Sequence, residues 1–390
     1  MDSLLVRAEV DLEAIAHNVR EIRRITHPDA KVMAVVKANG YGHGAVEVAG
    51  TALDNGAEAL AVARIEEAIE LRRAGINVPV LILGHTPVEA VDKLIRLNLT
   101  QTVYSRAMAG RLSDAARIYG KKIRTHIKTD TGMGRIGIAT GTNDRVPPDS
   151  DVARDFVKQA VRDIGAVCRL PGLDIEGIFT HFATADEADT SFALHQFNVF
   201  NDCVELLRRQ GIDIPIRHAA NSAAVINLPG THLDMVRPGI AIYGLYPSAE
   251  TDRTRAVLIP AMTLKARIVH VKHVPAGFRI SYGSSYRTPK PTDIATVNIG
   301  YADGVNRLLS SKGCMLVRGH RAPVVGRICM DMTMLDVGHI PNVRAGDDVV
   351  VFGKQGDVVL DVDEAAAAVG TINYEVVSLI SQRVHRVYQR

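Results

Sequence analysis

Eight short apolar runs alternate with helix-prone segments through about the first 240 residues, and this alternation limits the possible folds more than any other feature. The apolar, β-rich runs fall near residues 31–37, 58–63, 78–83, 101–104, 122–128, 174–181, 214–219 and 233–237. Between them lie helix candidates such as Ile65 to Arg73, closed by Gly75, and Phe192 to Gln210, closed by Gly211. Eight such units predict an α/β fold, a (β/α)8 barrel whose chemistry gathers at the carboxyl ends of its strands.

The pattern changes near residue 258, where short alternating runs broken by glycine replace the repeats. Four runs predict strands: Leu264 to His273, Asp293 to Ile299, Cys314 to Val317 and Asp347 to Phe352. Helical patterns return only near Val362 to Val369 and Asn373 to Arg383. We therefore predict a barrel over residues 1–257 and a mainly β domain over residues 258–390. The turn-forming residues at 140–151 predict a surface loop, to which we assign no function.

Composition excludes several classes of function. The chain has 46 Lys and Arg against 43 Asp and Glu, a formal charge of +3 without a basic stripe, so we expect neither a nucleic-acid nor a membrane partner. The four cysteines have no CxxC spacing, and no pattern predicts a metal site. No apolar stretch approaches the roughly 20 residues that span a bilayer, and the N-terminus lacks a signal segment. We expect a cytoplasmic protein.

Lys37 is the strongest candidate for chemistry. It follows the apolar run Val32 to Val36 and opens a glycine-rich loop over residues 38–44. A poorly hydrated lysine at the end of a buried strand has a lowered pKa and can act as a neutral nucleophile towards an aldehyde. The plainer interpretation is a lysine that reaches the surface from a strand end. Three glycines in five positions favour the first interpretation, because they let the backbone approach a ligand closely.

Further polar residues lie at or just past the predicted strand ends. They are Lys37, Lys128, Arg135, His181, Asn221, Ser222 and Arg237. Since the carboxyl ends of barrel strands meet at one mouth, these side chains are expected to share a site. Polar residues with unrelated structural roles would not be concentrated at the ends of the predicted strands.

Nine segments carry a family resemblance. They are residues 35–44, 128–135, 180–186, 218–222, 236–239, 281–283, 300–304, 326–331 and 372–375. In this order they resemble the pyridoxal-phosphate-dependent alanine racemases, over essentially the whole chain. The resemblance implies a barrel followed by a β domain, in a homodimer whose active sites are shared between subunits. It also implies interconversion of L- and D-alanine, which supplies D-alanine for peptidoglycan.

Racemisation requires a base on each face of the α-carbon. The resemblance implies Lys37 as the first base and the partner subunit's Tyr282 as the second. A phenol is a weak base near neutral pH unless its neighbours favour the phenolate, and the resemblance places His181 between Tyr282 and Arg237. Arg237 would also donate to the pyridine nitrogen of the cofactor, leaving it without a proton. The plainer role for Arg237 is an ion pair with Asp234.

The resemblance assigns the remaining site residues. The cofactor, and mainly its phosphate, would be held by Tyr41, Asn221, Ser222, the amides of Gly239 and Ile240, and Tyr374. Taken alone, Tyr374 would be a helix residue in the core and Asn221 a turn residue. Arg135 and the amide of Met330 would bind the substrate carboxylate. Lys128 would be carbamylated to orient Arg135, or else pair with Asp130. The gate of the substrate channel would be formed by Asp186, Tyr301, Arg307, Arg327 and Ile372.

Two other functions are compatible with parts of the pattern. A basic amino-acid decarboxylase has a similar barrel and β domain but uses an acidic partner at the pyridine nitrogen, so Arg237 argues against it. A non-catalytic pyridoxal-phosphate carrier would need only a barrel. The β domain that bears Tyr282 argues against the carrier.

Overall fold

A computed structural model describes residues 4–141 and 150–390 of the chain. Most of the predicted loop at 140–151 therefore lies outside the described residues. The chain divides into two compact units. The barrel unit comprises Ile15–Gly40 and Ala45–Ile259, and the β unit comprises Met1–Ala14, Tyr41–Gly44 and Pro260–Arg390. None of the helices within the described residues is long and apolar enough to cross a membrane.

Strands and helices alternate through the barrel unit, and strands dominate the β unit. In chain order, the strands are β1 (Val6–Asp11), β2 (Lys31–Val35), β3 (Ala59–Val62), β4 (Val80–Ile82), β5 (Thr100–Val103), β6 (Ile123–Asp130), β7 (Ile138–Ala139), β8 (Leu173–Phe179), β9 (Ile216–His218), β10 (Met235–Val236), β11 (Met262–Val274), β12 (Arg279–Ile280), β13 (Tyr286–Arg287), β14 (Thr292–Val297), β15 (Cys314–Val317), β16 (His320–Pro323), β17 (Thr333–Asp336), β18 (Asp348–Gln355), β19 (Val358–Leu360) and β20 (His385–Gln389). The α-helices are Leu12–Ile25, Ala45–Asp54, Ile65–Arg73, Val91–Arg96, Arg106–Ile118, Asp151–Cys168, Ser191–Arg209, Ser222–Asn227, Val362–Ala367 and Asn373–Ser378.

The barrel unit contains the eight predicted strands. They pair in parallel in the order β10, β2, β3, β4, β5, β6, β8 and β9. Two backbone hydrogen bonds link β9 to β10, from Asp234 N to Arg217 O (3.1 Å) and from Arg237 N to Ala220 O (2.9 Å). Strands β3 to β5 are buried along their whole length, as expected for parallel strands covered on both faces. The structure confirms the predicted barrel.

Helix ends in the barrel unit follow local sequence signals. Helix Ile65–Arg73 has the predicted bounds, and Gly75 follows it in the left-handed region at φ 85°. Helix Arg106–Ile118 begins at Ser105, whose hydroxyl accepts a hydrogen bond from Met108 N at 3.2 Å. Gly75 lies in a loop between a helix and the next strand, at the end of the barrel opposite the mouth, whereas Ser105 lies in the loop that follows β5, at the mouth.

The β unit is built around the long strand β11. It pairs antiparallel with β1, β14 and β18, and β1 pairs in parallel with β20. Residues 4–14, which we assigned to the barrel, therefore belong to the β unit, because β1 lies between β11 and β20 in its sheet. The units divide between Ile259 and Pro260, two residues past the predicted boundary.

The last predicted helix is shorter than expected. It ends at Ser378 and not at Arg383. The guanidinium of Arg386 donates to the carbonyls of Ile380, Ser381 and Val384 at 2.6 to 2.7 Å. These bonds hold the carbonyls in a turn that leads into β20, so the chain leaves the helical path.

Candidate active site

Lys37 lies two residues past the end of strand β2, which is buried from Val32 to Val35. The strand end is fixed by Tyr243, which is fully buried and donates its hydroxyl hydrogen to Val35 O at 3.0 Å. The next four residues, Ala38 to Tyr41, form a left-handed turn with φ of 53°, 52°, 59° and 49°. Left-handed backbone costs about 1–2 kcal/mol per residue that carries a side chain, and such conformations concentrate at functional sites. The strand and the turn together determine where the Lys37 amine lies.

The glycines of the loop have a structural role that was not expected. Gly42 and Gly44 have φ of 83° and 100°. A Cβ on Gly42 would lie 2.1 Å from Val377 O, and one on Gly44 would lie 1.9 Å from the Tyr388 hydroxyl. Both glycines therefore accommodate the backbone and side chains of the β unit itself. The close approaches seen at these two positions are to the protein itself, and the expectation that they admit a ligand stays a prediction.

Several lysine and arginine side chains lie close together at the barrel mouth. Poor hydration and then the Arg135 guanidinium lower the pKa of Lys37, while Glu67 opposes the shift. Burial, followed by Arg135 and Arg237, lowers the pKa of Lys128 to about 8. The Asp130 carboxylate accepts from the amides of Gly132 and Gly134 at 3.0 and 3.1 Å. An excess of cations in a poorly hydrated site favours an anionic ligand.

Arg237 is buried and held on all sides by acceptors. Its guanidinium contacts His218 Nδ1 at 2.9 Å and His181 Nδ1 at 3.3 Å, and it donates to the carbonyls of Thr180 (2.8 Å) and Ala219 (3.0 Å). Burial, then Arg135, lowers its pKa to about 9, which leaves it protonated at neutral pH.

The alternative ion pair for Arg237 is not formed. The Asp234 carboxylate binds Arg217 instead, accepting from Nε at 2.8 Å and Nη2 at 3.1 Å. The plainer role for Arg237 is therefore wrong, and its functional role stays a prediction.

Behind Arg237 lies a hydrogen-bonded pair of histidines that the sequence analysis did not assign. His218 Nε2 lies 2.9 Å from His126 Nδ1, and the Phe179 ring stacks on His218 at 4.7 Å between centroids. Burial lowers the pKa of His126 to about 3 and that of His218 well below its ordinary value, so both rings are neutral. Since Arg237 donates to His218 Nδ1, His218 must carry its proton on Nε2 and donate to His126. His126 and Lys128 are two residues apart on strand β6, so their side chains lie on the same face of that strand. This spacing could have indicated from the sequence that His126 lies on the same side as a predicted site residue.

Gly177 makes room for this histidine pair, and the Gly177→Ala variant should destabilise the protein. A Cβ at Gly177 would lie 2.7 Å from the His126 ring. We expect a loss of about 1–3 kcal/mol in the free energy of unfolding, measured by urea denaturation. Gly110→Ala is the control, because Gly110 lies within helix Arg106–Ile118 with no neighbour within 4 Å of an added Cβ. That variant should gain about 0.5–1 kcal/mol. Equal stabilities for the two variants would contradict the packing argument.

The predicted phosphate ligands of the barrel unit lie together. Ser222 Oγ accepts from the amide of Gly239 at 2.8 Å and lies 3.4 Å from the amide of Ala241. Ile240, between them, opens the 3-10 turn Ile240–Tyr243. Asn221 caps helix Ser222–Asn227 by accepting from Ala224 N at 3.0 Å. The result is a cluster of neutral hydroxyl and amide donors.

Two further predicted ligands meet in the β unit. The rings of Tyr41 and Tyr374 lie 6.2 Å apart between centroids. Tyr41 belongs to the short segment Tyr41–Gly44, which clusters with the β unit although it follows Lys37 closely in sequence. Two phenol groups are thus presented side by side.

The second predicted base lies on the surface of the β unit. Tyr282 is 71% exposed, and it follows Ser281, whose φ is 64°. The Ser281 hydroxyl donates to Arg327 O at 2.6 Å, and a Cβ on Gly283 would lie 3.4 Å from the Arg327 guanidinium. The two residues that flank Tyr282 therefore both lie next to Arg327.

The adjoining loop carries the other predicted residues of this unit. Met330 is 53% exposed, and its carbonyl accepts from Ala302 N at 3.0 Å, next to Tyr301. Arg307 connects to this loop through Ser310, whose hydroxyl accepts from Ile328 N at 3.0 Å. Ile372 is 59% exposed and precedes helix Asn373–Ser378. Asp186 is the only predicted gate residue in the barrel unit.

Comparison with known proteins identifies the family. The model of the alanine racemase N-terminal domain matches residues 10–247, and that of the alanine racemase C-terminal domain matches residues 261–388. The chain belongs to the alanine racemase family. The alanine racemase of Desulfosudis oleivorans is 54% identical over 388 residues, which covers 100% of this chain and 97% of the relative. That of Desulforamulus reducens is 52% identical and covers 98% of each chain.

Solved structures of the family have the same architecture. The alanine racemase of Clostridium difficile 630 superposes with a TM-score of 0.90 at 40% identity, covering 99% of this chain and 96% of that one. The alanine racemase from Bacillus anthracis with bound L-Ala-P gives 0.87 at 40% identity, covering 99% and 95%. The predicted family and fold class are confirmed. This alanine racemase family member is an isomerase that interconverts L- and D-alanine.

Proposed function

We propose that this chain racemises alanine with two bases, Lys37 and Tyr282, and that pyridoxal phosphate is its cofactor. The position of Lys37 carries the proposal. It stands at the end of a buried strand, on a left-handed turn, with a lowered pKa. An amine in this state can react with a carbonyl group and can also accept a proton.

The residues of the barrel mouth fit pyridoxal phosphate. The buried Ser222 oxygen accepts from the Gly239 amide at 2.8 Å, so the Ser222 hydroxyl hydrogen would be a neutral donor to the phosphate. The Gly239 amide would exchange Ser222 for the phosphate as its acceptor, with the Ile240 amide next in sequence. Tyr41 and Tyr374 would add two hydroxyl groups, and Asn221 would shape the turn. Arg237 would face the pyridine nitrogen. When bound, the cofactor withdraws electron density from the amino acid and so acidifies its α-carbon.

Each base would work on one face of the substrate. Lys37 Nζ would accept the α-proton of D-alanine, and Tyr282 Oη that of L-alanine. The lowered pKa of Lys37 raises the fraction of neutral amine at physiological pH. Arg135 and the Met330 amide would hold the substrate carboxylate, which fixes the α-proton along the line between the bases.

Arg237 would donate a hydrogen bond to the pyridine nitrogen without transferring its proton. Its neighbours His181 and His218 are both neutral, because burial and the Arg237 charge lower their pKa values. Neither accepts a proton readily while Arg237 stays charged. By withholding its proton, Arg237 would leave the pyridine nitrogen unprotonated, and this would weaken the electron withdrawal that the cofactor supplies and favour proton return over elimination.

We further propose a homodimer in which Tyr282 serves the partner's barrel. The exposed fractions of Tyr282, Met330 and Ile372 within one chain support this assembly, because large aromatic and apolar side chains are usually covered. The gate residues Tyr301, Arg307, Arg327 and Ile372 of one subunit would then act with the partner subunit's Asp186. The product D-alanine would enter peptidoglycan synthesis.

The decisive experiment is α-proton exchange in deuterated water over a panel of amino acids, with and without added pyridoxal phosphate. We expect exchange and racemisation of alanine that depend on the cofactor, weak activity with serine and none with large side chains. Carbon dioxide release from lysine, ornithine or arginine would favour a decarboxylase instead. Absence of any exchange would favour a carrier.

Lys128 should react with carbon dioxide. With a pKa of about 8, its neutral fraction rises from about a tenth at pH 7 to about nine tenths at pH 9. Its neutral amine would attack carbon dioxide and form an N–C bond while one N–H proton is released to solvent, and the negative charge of the resulting carbamate would orient Arg135. Protein incubated with 13C-bicarbonate should show a carbamate resonance that is absent in Lys128→Arg and retained in Lys122→Arg. A resonance that persists in Lys128→Arg would contradict the assignment.

A further inference from the structure

We propose that Glu67 is a positioning residue for Lys37. Its carboxylate ties the turn that carries Lys37 to the first turn of helix Ile65–Arg73, and it places a negative charge beside a mainly cationic site. The inference rests on the proposed role of Lys37 as a base. It assigns a function to a residue outside the nine family-like segments.

The carboxylate of Glu67 joins two neighbouring loops of the barrel. Oε1 accepts from Ala38 N, directly after Lys37, at 2.6 Å. Oε2 accepts from Ala63 N at 2.7 Å and from Arg64 N at 3.0 Å, where the chain leaves β3. Hydrogen bonds to an ionised acceptor are short and about twice as strong as neutral ones. Both oxygens are thus used, one for each loop.

The turn after Lys37 needs such support. Ala38 and Asn39 carry side chains yet have left-handed φ of 53° and 52°, which L-residues adopt only at a cost in free energy. Glu67 holds the first residue of this turn. Asn39 Oδ1 holds its other side by accepting from Ala45 N at 3.0 Å. Loss of the Ala38 contact would release the turn at the point nearest to Lys37.

The charge of Glu67 acts on the same amine. The groups that act on Lys37 or feel its charge include Arg135, Lys128, His181 and Glu67. Of these, only Glu67 brings a negative charge and raises the pKa of Lys37, against poor hydration and Arg135. A base must also hold the proton that it has removed. Glu67 therefore keeps the amine basic enough to store the α-proton at Nζ.

Two substitutions of Glu67 separate its effect on the position of Lys37 from the effect of its negative charge. In Glu67→Gln the charge is lost, and one of the two oxygens becomes an NH2 group that cannot accept from a backbone amide. In Glu67→Asp the charge stays, but the side chain is one methylene too short to reach both loops. Glu66→Gln is the matched control, since Glu66 is the exposed neighbouring acid on the same helix.

The first readout needs no cofactor. Full-length protein freed of cofactor is labelled with acetic anhydride across a pH series, and the modification of Lys37 is followed by mass spectrometry. The labelling curve should move to lower pH in Glu67→Gln, and stay unmoved in Glu66→Gln and Glu67→Asp. An unmoved curve in Glu67→Gln would overturn the proposal.

The second readout uses enzyme with pyridoxal phosphate. We expect kcat for D-alanine α-proton exchange to fall roughly 10- to 100-fold in both Glu67 variants, with KM nearly unchanged, because the base is displaced while the carboxylate site is intact. A wild-type kcat in Glu67→Asp would overturn the proposal. A fall of kcat in Glu66→Gln as large as that in the Glu67 variants would do the same. If the wild-type protein itself catalyses no exchange, the proposed function fails, whatever the labelling curves show.

Discussion

Lys37→Ala should reduce alanine racemisation by at least about 10⁴-fold, because the variant loses both the group that reacts with the cofactor and one of the two bases. The visible absorbance of the protein with bound pyridoxal phosphate should change accordingly. Lys31→Ala is a suitable control, since Lys31 is exposed at the opposite end of the same strand. It should keep wild-type activity and absorbance.

Chemical mapping provides an independent check on Lys37. Borohydride reduction of the loaded wild-type enzyme, followed by peptide analysis, should locate the reduced adduct on Lys37. An adduct on another side chain, or on none, would contradict the central assignment. An unchanged spectrum in Lys37→Ala would do the same.

Tyr282→Phe should separate the two directions of proton transfer. Removal of the hydroxyl leaves the ring and its packing but takes away the base on one face. Exchange of the L-alanine α-proton should fall by about 10² to 10⁴-fold, whereas Lys37 should continue to exchange the α-proton of D-alanine. Each reaction is followed by mass spectrometry of the recovered amino acid in deuterated water.

The control for this experiment is Tyr286→Phe. Tyr286 lies four residues further on and packs against a small buried cluster of the β unit, where burial raises the pKa of its hydroxyl. This variant should exchange both enantiomers at the wild-type rate. Equal losses for both enantiomers in Tyr282→Phe would show that the two faces do not have separate bases.

The barrel was predictable because its signals are local. Each strand is a short apolar run, and glycine residues such as Gly75 and Gly211 follow the helices. The site residues of the barrel were also predictable in position, since parallel strands bring their carboxyl ends to one mouth. Lys37 and Arg237 are 200 residues apart in sequence but follow the paired strands β2 and β10.

Contacts across strands were not predictable in this way. The bond between His126 and His218 joins side chains 92 residues apart, and that between Glu67 and Ala38 joins two separate loops. Neither leaves a periodic signal in the sequence. The steric requirement for glycine at positions 42 and 44 was not predictable for the same reason. An added Cβ would meet Val377 and Tyr388, which lie more than 300 residues later in the sequence. The roles of Tyr282, Met330 and the gate residues stay predictions.

The position of β1 has a consequence for synthesis on the ribosome. This strand precedes every other described strand in the chain, yet its neighbours in the sheet, β11 and β20, are made after the whole barrel. The barrel can acquire its eight strands during translation, while β1 must wait for β11 on one side and for residues 385–389 on the other. A nascent chain stalled before β20 would therefore display β1 as an unpaired edge, open to aggregation or to chaperones.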